Sequence, residues 1–182
     1  MNERWNRFWD RLGPYVLWFL AYSVIGWAYE VFLEVVVYRW GYSDRGVLFG
    51  PYCPVYGVGA MAFLLCLGRL VKSRRPLWVR LLLTFLGCML VATAIELAAS
   101  YLLEWLTGSW PWQTYVDYGI NFQGRIALSP SVRFGLGGLL FLFVLQPLFE
   151  RATGRLSART RRGLAQVVAA VLLADLCLTV LL

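Results

Sequence analysis

The sequence predicts an all-α integral membrane protein: a five-helix transmembrane bundle with an irregular external segment, able to re-enter the membrane, before helix 2 and an aromatic external loop between helices 3 and 4. Three observations predict it. Hydrophobic residues make up 60% of the 182 residues and mean hydropathy is +0.63, against about 45 to 50% apolar content in soluble domains. Several apolar runs approach the roughly 20 residues that a helix needs to cross a bilayer. Of the 17 Lys and Arg residues, 13 are gathered in the amino-terminal segment and in alternate connections between those runs, a distribution that membrane insertion imposes. A single membrane domain, 1–182, then holds spans at about 14–38, 55–71, 78–103, 132–148 and 163–182.

Residues 1–13 set Arg4, Arg7 and Arg11 beside Trp5, Phe8 and Trp9, the pattern of a short helix lying on an anionic membrane surface. The apolar run from Pro14 to about Tyr38 is too long for a signal-peptide core and is read as the first span. The stretch Asp44–Gly59 joins it to the second span. Its prolines at 51 and 54 and its four glycines oppose a regular helix, while Leu48, Phe49, Tyr52, Val55 and Tyr56 are too apolar for a loose aqueous loop. Backbone of this kind at membrane depth must be shielded by protein or face water. The second span is short, so this segment is expected to supply part of its depth.

After the third span comes a long loop whose Trp105, Trp110, Trp112, Tyr115 and Tyr118 suit the membrane interface. The fourth span carries Gly135, Gly137 and Gly138, small residues that let helix backbones approach closely. An apolar segment from Gly163 to Leu182 makes the fifth span.

By alternate sides, Arg4, Arg7, Arg11, Arg69, Lys72, Arg74, Arg75, Arg80, Arg151, Arg155, Arg159, Arg161 and Arg162 face Arg39, Arg45, Arg125 and Arg133, thirteen against four. The expected topology is therefore a multi-pass protein of the cell membrane with a cytoplasmic amino terminus and an external carboxyl terminus. It puts the irregular segment and the aromatic loop on one external side. The same uneven placement explains the net charge of +7 better than nucleic-acid binding does. There is no histidine, which excludes histidine general-base chemistry and removes a common ligand of zinc and haem. No metal or cofactor is expected, and the four cysteines do not form a disulfide framework.

Glu30 and Glu34 are four residues apart on the first helix, and Thr93, Glu96, Ser100 and Glu104 form a polar stripe on the third. An ionised side chain at mid-bilayer costs roughly 2.5 to 3.5 kcal/mol on insertion scales, so these acids need compensation. Arg45 and Arg125 lie in the two external loops and can each grip a carboxylate through a bidentate guanidinium contact. The expected substrate-binding set is Glu30, Arg45, Glu96 and Arg125, with Tyr52 and Asn121 from the same loops. The alternatives are ion pairs that only lock the bundle, and acids that reach the headgroups, for which Glu34 and Glu104 are the best placed. Asp175 is expected to make a helix–helix hydrogen bond, in preference to serving as a proton relay.

GWAYEVFLE at 26–34, RGVLFGPYCPVYGVG at 45–59, IELAASYLLEWLTG at 95–108 and NFQGRIALS at 121–129 resemble the CmpB-like, type IV ABC-transporter family of small bacterial membrane permeases. The departures are VDYG at 116–119, where the family shows a tryptophan-aspartate-tyrosine-serine run, and Ala127, where a cysteine is common. The resemblance implies a permease working with a separate ATPase. This chain has no G-x-x-x-x-G-K-[ST] loop for nucleotide phosphates, so an ATPase would be a partner docking on the basic cytoplasmic loops. Five spans are few for a pore, which favours a homo-oligomer. The leading expectation is a permease-like protein, not an enzyme, with a polar carboxylate and arginine site near the external face. The alternatives are a membrane enzyme acting on a lipid or lipid-linked substrate, and a non-catalytic assembly or regulatory subunit.

Overall fold

The computed structural model describes residues 3–37, 39, 41, 42, 48–108 and 115–181. Among them five helices are long and apolar enough to cross a membrane: Glu3–Val37, Pro54–Val71, Leu77–Leu106, Leu128–Gly154 and Ala158–Thr179. The elements are α1 (Glu3–Phe32), continued by a π-helical stretch Leu33–Val37, α2 (Pro54–Val71), α3 (Leu77–Thr107), the two-residue strands β1 (Asn121–Phe122) and β2 (Ile126–Ala127), α4 (Leu128–Leu140), a π-helical stretch Phe141–Leu145, α5 (Gln146–Gly154) and α6 (Ala158–Leu181). Leu65, Leu90 and Trp105 are 79%, 72% and 80% exposed, bare apolar surface that lipid must cover. The helices form two compact units, Met1–Met61 with Pro147–Leu182, and Ala62–Gln146.

In the first unit α1 packs along α6. The residues expected as a separate surface helix are instead the first turns of α1, which runs through Pro14 without a break. Proline at that position removes one backbone donor, and contacts with α6 hold the turns on either side of it. Arg162 donates to both Asp10 oxygens, the nearer at 3.0 Å. A Cβ placed on Gly13 would stand 3.3 Å from that of Ala165, itself fully buried. Trp18 donates its indole N–H to Thr153 Oγ1 at 3.2 Å, and Tyr22 meets Phe149 edge-on at 5.1 Å.

Small residues also set the approach of α1 to the start of α2. A side chain at Gly26 would overlap Tyr56, and one at Gly57 would overlap Ser23 and Phe19. The Ser23 hydroxyl donates to Phe19 O at 2.8 Å, and Ser23 O accepts the N–H of Cys53 at 2.9 Å. The start of α2 is thus seated on α1 by a backbone hydrogen bond.

In the second unit Phe63, Cys88 and Leu142 form the buried centre, with Leu64, Leu67, Val71, Val91, Ala92 and Phe143 around it. Of the three α4 glycines, Gly135 faces Phe85 and Met89, and Gly138 faces Cys88 and Phe63, whereas a Cβ on Gly137 would meet nothing within 4 Å. Three-residue spacing puts the first two on one helix face and leaves the third off it.

The helix ends follow local chemistry. Gly108 closes α3 in the left-handed region at φ 80°, its N–H on Glu104 O, a conformation that glycine adopts without steric cost. Before Pro147, which can offer no N–H and would crowd the carbonyl of Phe143, Gln146 N–H reaches Phe141 O five residues back. Ser157 caps α6, its Oγ accepting from Thr160 N at 3.1 Å. The basic segment after Glu150 is mostly helix, with Arg151 in the last turn of α5, Arg159, Arg161 and Arg162 in the first turns of α6 and Arg155 in the turn between them.

Candidate functional site

In the first unit, the segment leading into α2 is held by Asp175 of α6. Phe49 N–H donates to Asp175 Oδ1 and Gly50 N–H to Oδ2, both at 3.0 Å, and the Tyr52 hydroxyl adds a third bond to Oδ2. The chain turns tightly here because Tyr52 N–H bonds Gly50 O at 2.8 Å across Pro51, a three-residue turn whose central φ suits proline. Gly50 is required as well, since a Cβ there would strike the ring of Tyr52. Leu48, Tyr52, Cys53 and Asp175 are 8%, 6%, 5% and 8% exposed. Burial, then the bond to Asp175, push the Tyr52 phenol up to about 12, so it remains a donor.

This corrects the expectation for Asp175. Its partners are the backbone and phenol of a non-helical segment instead of another helix, and with three donors the carboxylate is not an isolated acid. An ionised carboxylate only accepts hydrogen bonds, and non-helical backbone inside a bilayer needs acceptors for its N–H groups. Each satisfies the other.

One helical turn beyond Gly26 on α1, Glu30 Oε1 accepts the hydroxyl of Tyr56, the residue that lies over Gly26. Tyr29 stands edge-on to the Tyr56 ring at 6.4 Å. Glu34, one of the two acids best placed for the headgroups, is 5% exposed on the π-helical turn that ends the first span.

The second unit uses its whole polar stripe. Thr93 and Ser131 share a hydrogen bond of 2.6 Å, Tyr115 donates to Glu96 Oε1 at 2.9 Å, and Arg125 donates to Ser100 at 3.4 Å and to Glu104. Glu96 Oε2 is buried with no hydrogen-bond partner among the described residues. Burial, then the neighbouring Glu96 carboxylate, raise the Tyr115 phenol above its ordinary value, which keeps the proton on tyrosine.

Arg125 is aimed by a hairpin that fits its sequence. Asn121 pairs with Ala127 and Phe122 with Ile126, and Arg125 N–H returns to Phe122 O at 3.0 Å. The two turn residues between them have positive φ, 53° at Gln123 and 67° at Gly124, the backbone of a tight hairpin turn. Tyr101 braces it, donating to Gln123 Oε1 and lying 4.2 Å beneath the Arg125 guanidinium. Asn121 serves the loop itself, donating to Tyr118 O at 2.7 Å and Val116 O at 3.3 Å and accepting from Gly124 N at 3.0 Å.

Five of the six expected site residues fall into separate local arrangements. Glu30 is bonded to Tyr56, Tyr52 to Asp175, Glu96 to Tyr115, and Asn121 to its own loop. Arg125, expected on Glu30 or Glu96, has its ion pair with Glu104 one turn further along α3 than Ser100. Glu104 is in turn a pairing residue at the rim, its side chain 41% exposed, and not simply a headgroup acid. Arg45, Trp110 and Trp112 lie outside the described residues.

Residues 17–180 match the family described as Putative ABC-transporter type IV. The chain belongs to that family. No curated protein and no solved structure matches it significantly. The match spans all the helices from the second half of α1 through α6, so both Asp175 and the polar stripe of α3 lie in the part shared with the family.

Proposed function

We propose that this protein is the permease-like membrane subunit of an ABC-type transporter, handling a polar solute at carboxylates near the external face. Family membership supports the class. The observation that carries the site is the state of Glu96: a carboxylate on a bilayer-crossing helix, bonded on one oxygen to a tyrosine hydroxyl and, among the described residues, without a hydrogen-bond partner on the other. A buried carboxylate oxygen without a donor is unfavourable, and a solute bearing a cationic or hydrogen-bond-donating group would supply what is missing. Glu30 is a second carboxylate on a bilayer-crossing helix that accepts a tyrosine hydroxyl, that of Tyr56.

The orientation in this proposal follows the basic residues. Arg74 and Arg75 between α2 and α3, and Arg151, Arg155 and Arg159 around the α5–α6 turn, are exposed and would face the cytoplasm, where an ATPase partner would dock. In intact cells an impermeant thiol reagent is expected to label a cysteine introduced at Asp117 and not one at Ser157. Purification in mild detergent is expected to retain an ATPase with a phosphate-binding loop, and Arg155→Glu with Arg159→Glu to release it. The reverse labelling refutes the orientation. Absence of any ATPase from cells in which the protein is functional refutes the transporter assignment.

A further inference from the structure

The first turns of α4 carry a feature that neither the hairpin nor the polar stripe uses. Tyr118, Ile120, Leu128, Ser129, Val132 and Arg133 line an open groove of about 390 Å³. Its walls have two characters. Ile120 and Leu128 are bare apolar side chains, 67% and 46% exposed, and Val132 continues them one turn along the helix. Beside them Arg133 donates one Nη2 hydrogen bond to Ser129 Oγ at 3.1 Å, is exposed, and makes no ion pair among the described residues.

We propose that this groove holds one anionic phospholipid, its phosphate on the Arg133 guanidinium and the Ser129 hydroxyl and an acyl chain along Ile120, Leu128 and Val132. The charge argument comes first. A guanidinium carries five donors in a planar fork suited to phosphate, and a single side-chain bond leaves most of that fork unused. Depth agrees with it. Arg133 stands five residues past the start of a bilayer-crossing helix, about 7 Å along its axis, which is the level of the boundary between headgroups and acyl chains. The positive end of the helix dipole adds to the attraction for an anion at this end of α4. The apolar walls select a tethered phosphate over a free one, because only a lipid brings hydrocarbon to cover them. A zwitterionic headgroup is disfavoured by its own cation beside Arg133. This site is independent of the transport proposal, since any multi-pass protein with the same groove would hold the lipid.

The protein purified in mild detergent is titrated with palmitoyl-oleoyl phosphatidylglycerol, with phosphatidylcholine of the same chains, and with inorganic phosphate, and bound molecules are counted by native mass spectrometry. One saturable phosphatidylglycerol is expected, with weaker phosphatidylcholine binding and no displacement by inorganic phosphate. Arg133→Gln is expected to weaken that binding by about tenfold, the loss of one charge-assisted contact, with an unchanged thermal midpoint in lipid-free micelles. Val132→Trp, which fills the apolar wall and leaves the arginine, is expected to weaken it as well. Equal affinity of the wild-type protein for the two lipids, displacement by inorganic phosphate, or undiminished binding in both variants overturns the proposal. The wild-type titrations decide the matter even if a variant does not fold.

Discussion

The segment before α2 and the hairpin after α3 are both non-helical backbone attached to bilayer-crossing helices, and they are tied down with opposite chemistry. In the first the charge sits on the helix: Asp175 holds the N–H groups of Phe49 and Gly50 and the hydroxyl of Tyr52. In the second the charge sits on the loop, where Arg125 holds Ser100, Glu104 and the face of Tyr101. A carboxylate serving two amide N–H groups has no substitute nearby, because the amides cannot turn to another acceptor without unmaking the turn at Pro51. An arginine shared among a hydroxyl, a half-exposed carboxylate and an aromatic ring loses less when any one partner goes. The first anchor concentrates the stability of its segment in one residue and the second distributes it.

This contrast ranks the expected effects. Asp175→Ala leaves three donors without their acceptor at about 1 to 3 kcal/mol each, so a loss of about 4 kcal/mol or more is expected in denaturant-titrated unfolding in mixed micelles. Arg125→Gln is expected to cost about 2 kcal/mol. Glu104→Gln should cost less, about 0.5 kcal/mol, since water already screens a side chain that is 41% exposed. The double variant should lose less than the sum of the two, which measures the pair directly. Additive losses would show that the two side chains do not depend on one another.

Helix contacts give a sharper version of the same test at neighbouring positions. Gly138→Ala pushes a methyl group into Cys88 and Phe63 and is expected to cost about 1 to 3 kcal/mol. Gly137→Ala has open space and is expected to be neutral or stabilising by up to about 1 kcal/mol through helix propensity. Equal effects at the two positions would break the assignment of the α4 face. Smaller than the Asp175 effect, Tyr52→Phe removes one of three bonds and should cost about 1 kcal/mol, with the two amide bonds still in place.

The contrast also explains what the sequence could convey. The five spans were legible because apolar length is a property of the chain itself. The polar stripe Thr93, Glu96, Ser100 and Glu104 was legible because helical spacing aligns it, whereas the hairpin arginine pairs with Glu104 of that stripe and not with the expected Glu30 or Glu96. What spacing does not encode is which tyrosine will stand opposite an acid, as Tyr56 does for Glu30 and Tyr115 for Glu96. The Asp175 anchor was hidden for a different reason. Two of its three partners are backbone N–H groups, present at nearly every residue, and 126 positions separate it from Phe49. The one available signal was a lone acid in the last span together with a proline-broken segment whose N–H groups needed an acceptor. The extension of α1 through Pro14 was missed because a proline beside glycine reads as a boundary, whereas the packing of Gly13 on Ala165 lies in a contact distant in sequence.

The central claim, that Asp175 locks the segment leading into α2, is tested most directly through Cys53. This thiol is 5% exposed and next to Tyr52, while Cys88 is fully buried in the other unit. In a background with Cys66→Ser and Cys177→Ser, which removes the two exposed thiols, alkylation at Cys53 and Cys88 is followed by peptide mass spectrometry under native conditions. Asp175→Asn should accelerate modification of Cys53 by about tenfold or more, the equivalent of at least 1.4 kcal/mol of lost local protection, and leave Cys88 protected. Unchanged protection of Cys53, or equal acceleration at both cysteines, would contradict the claim.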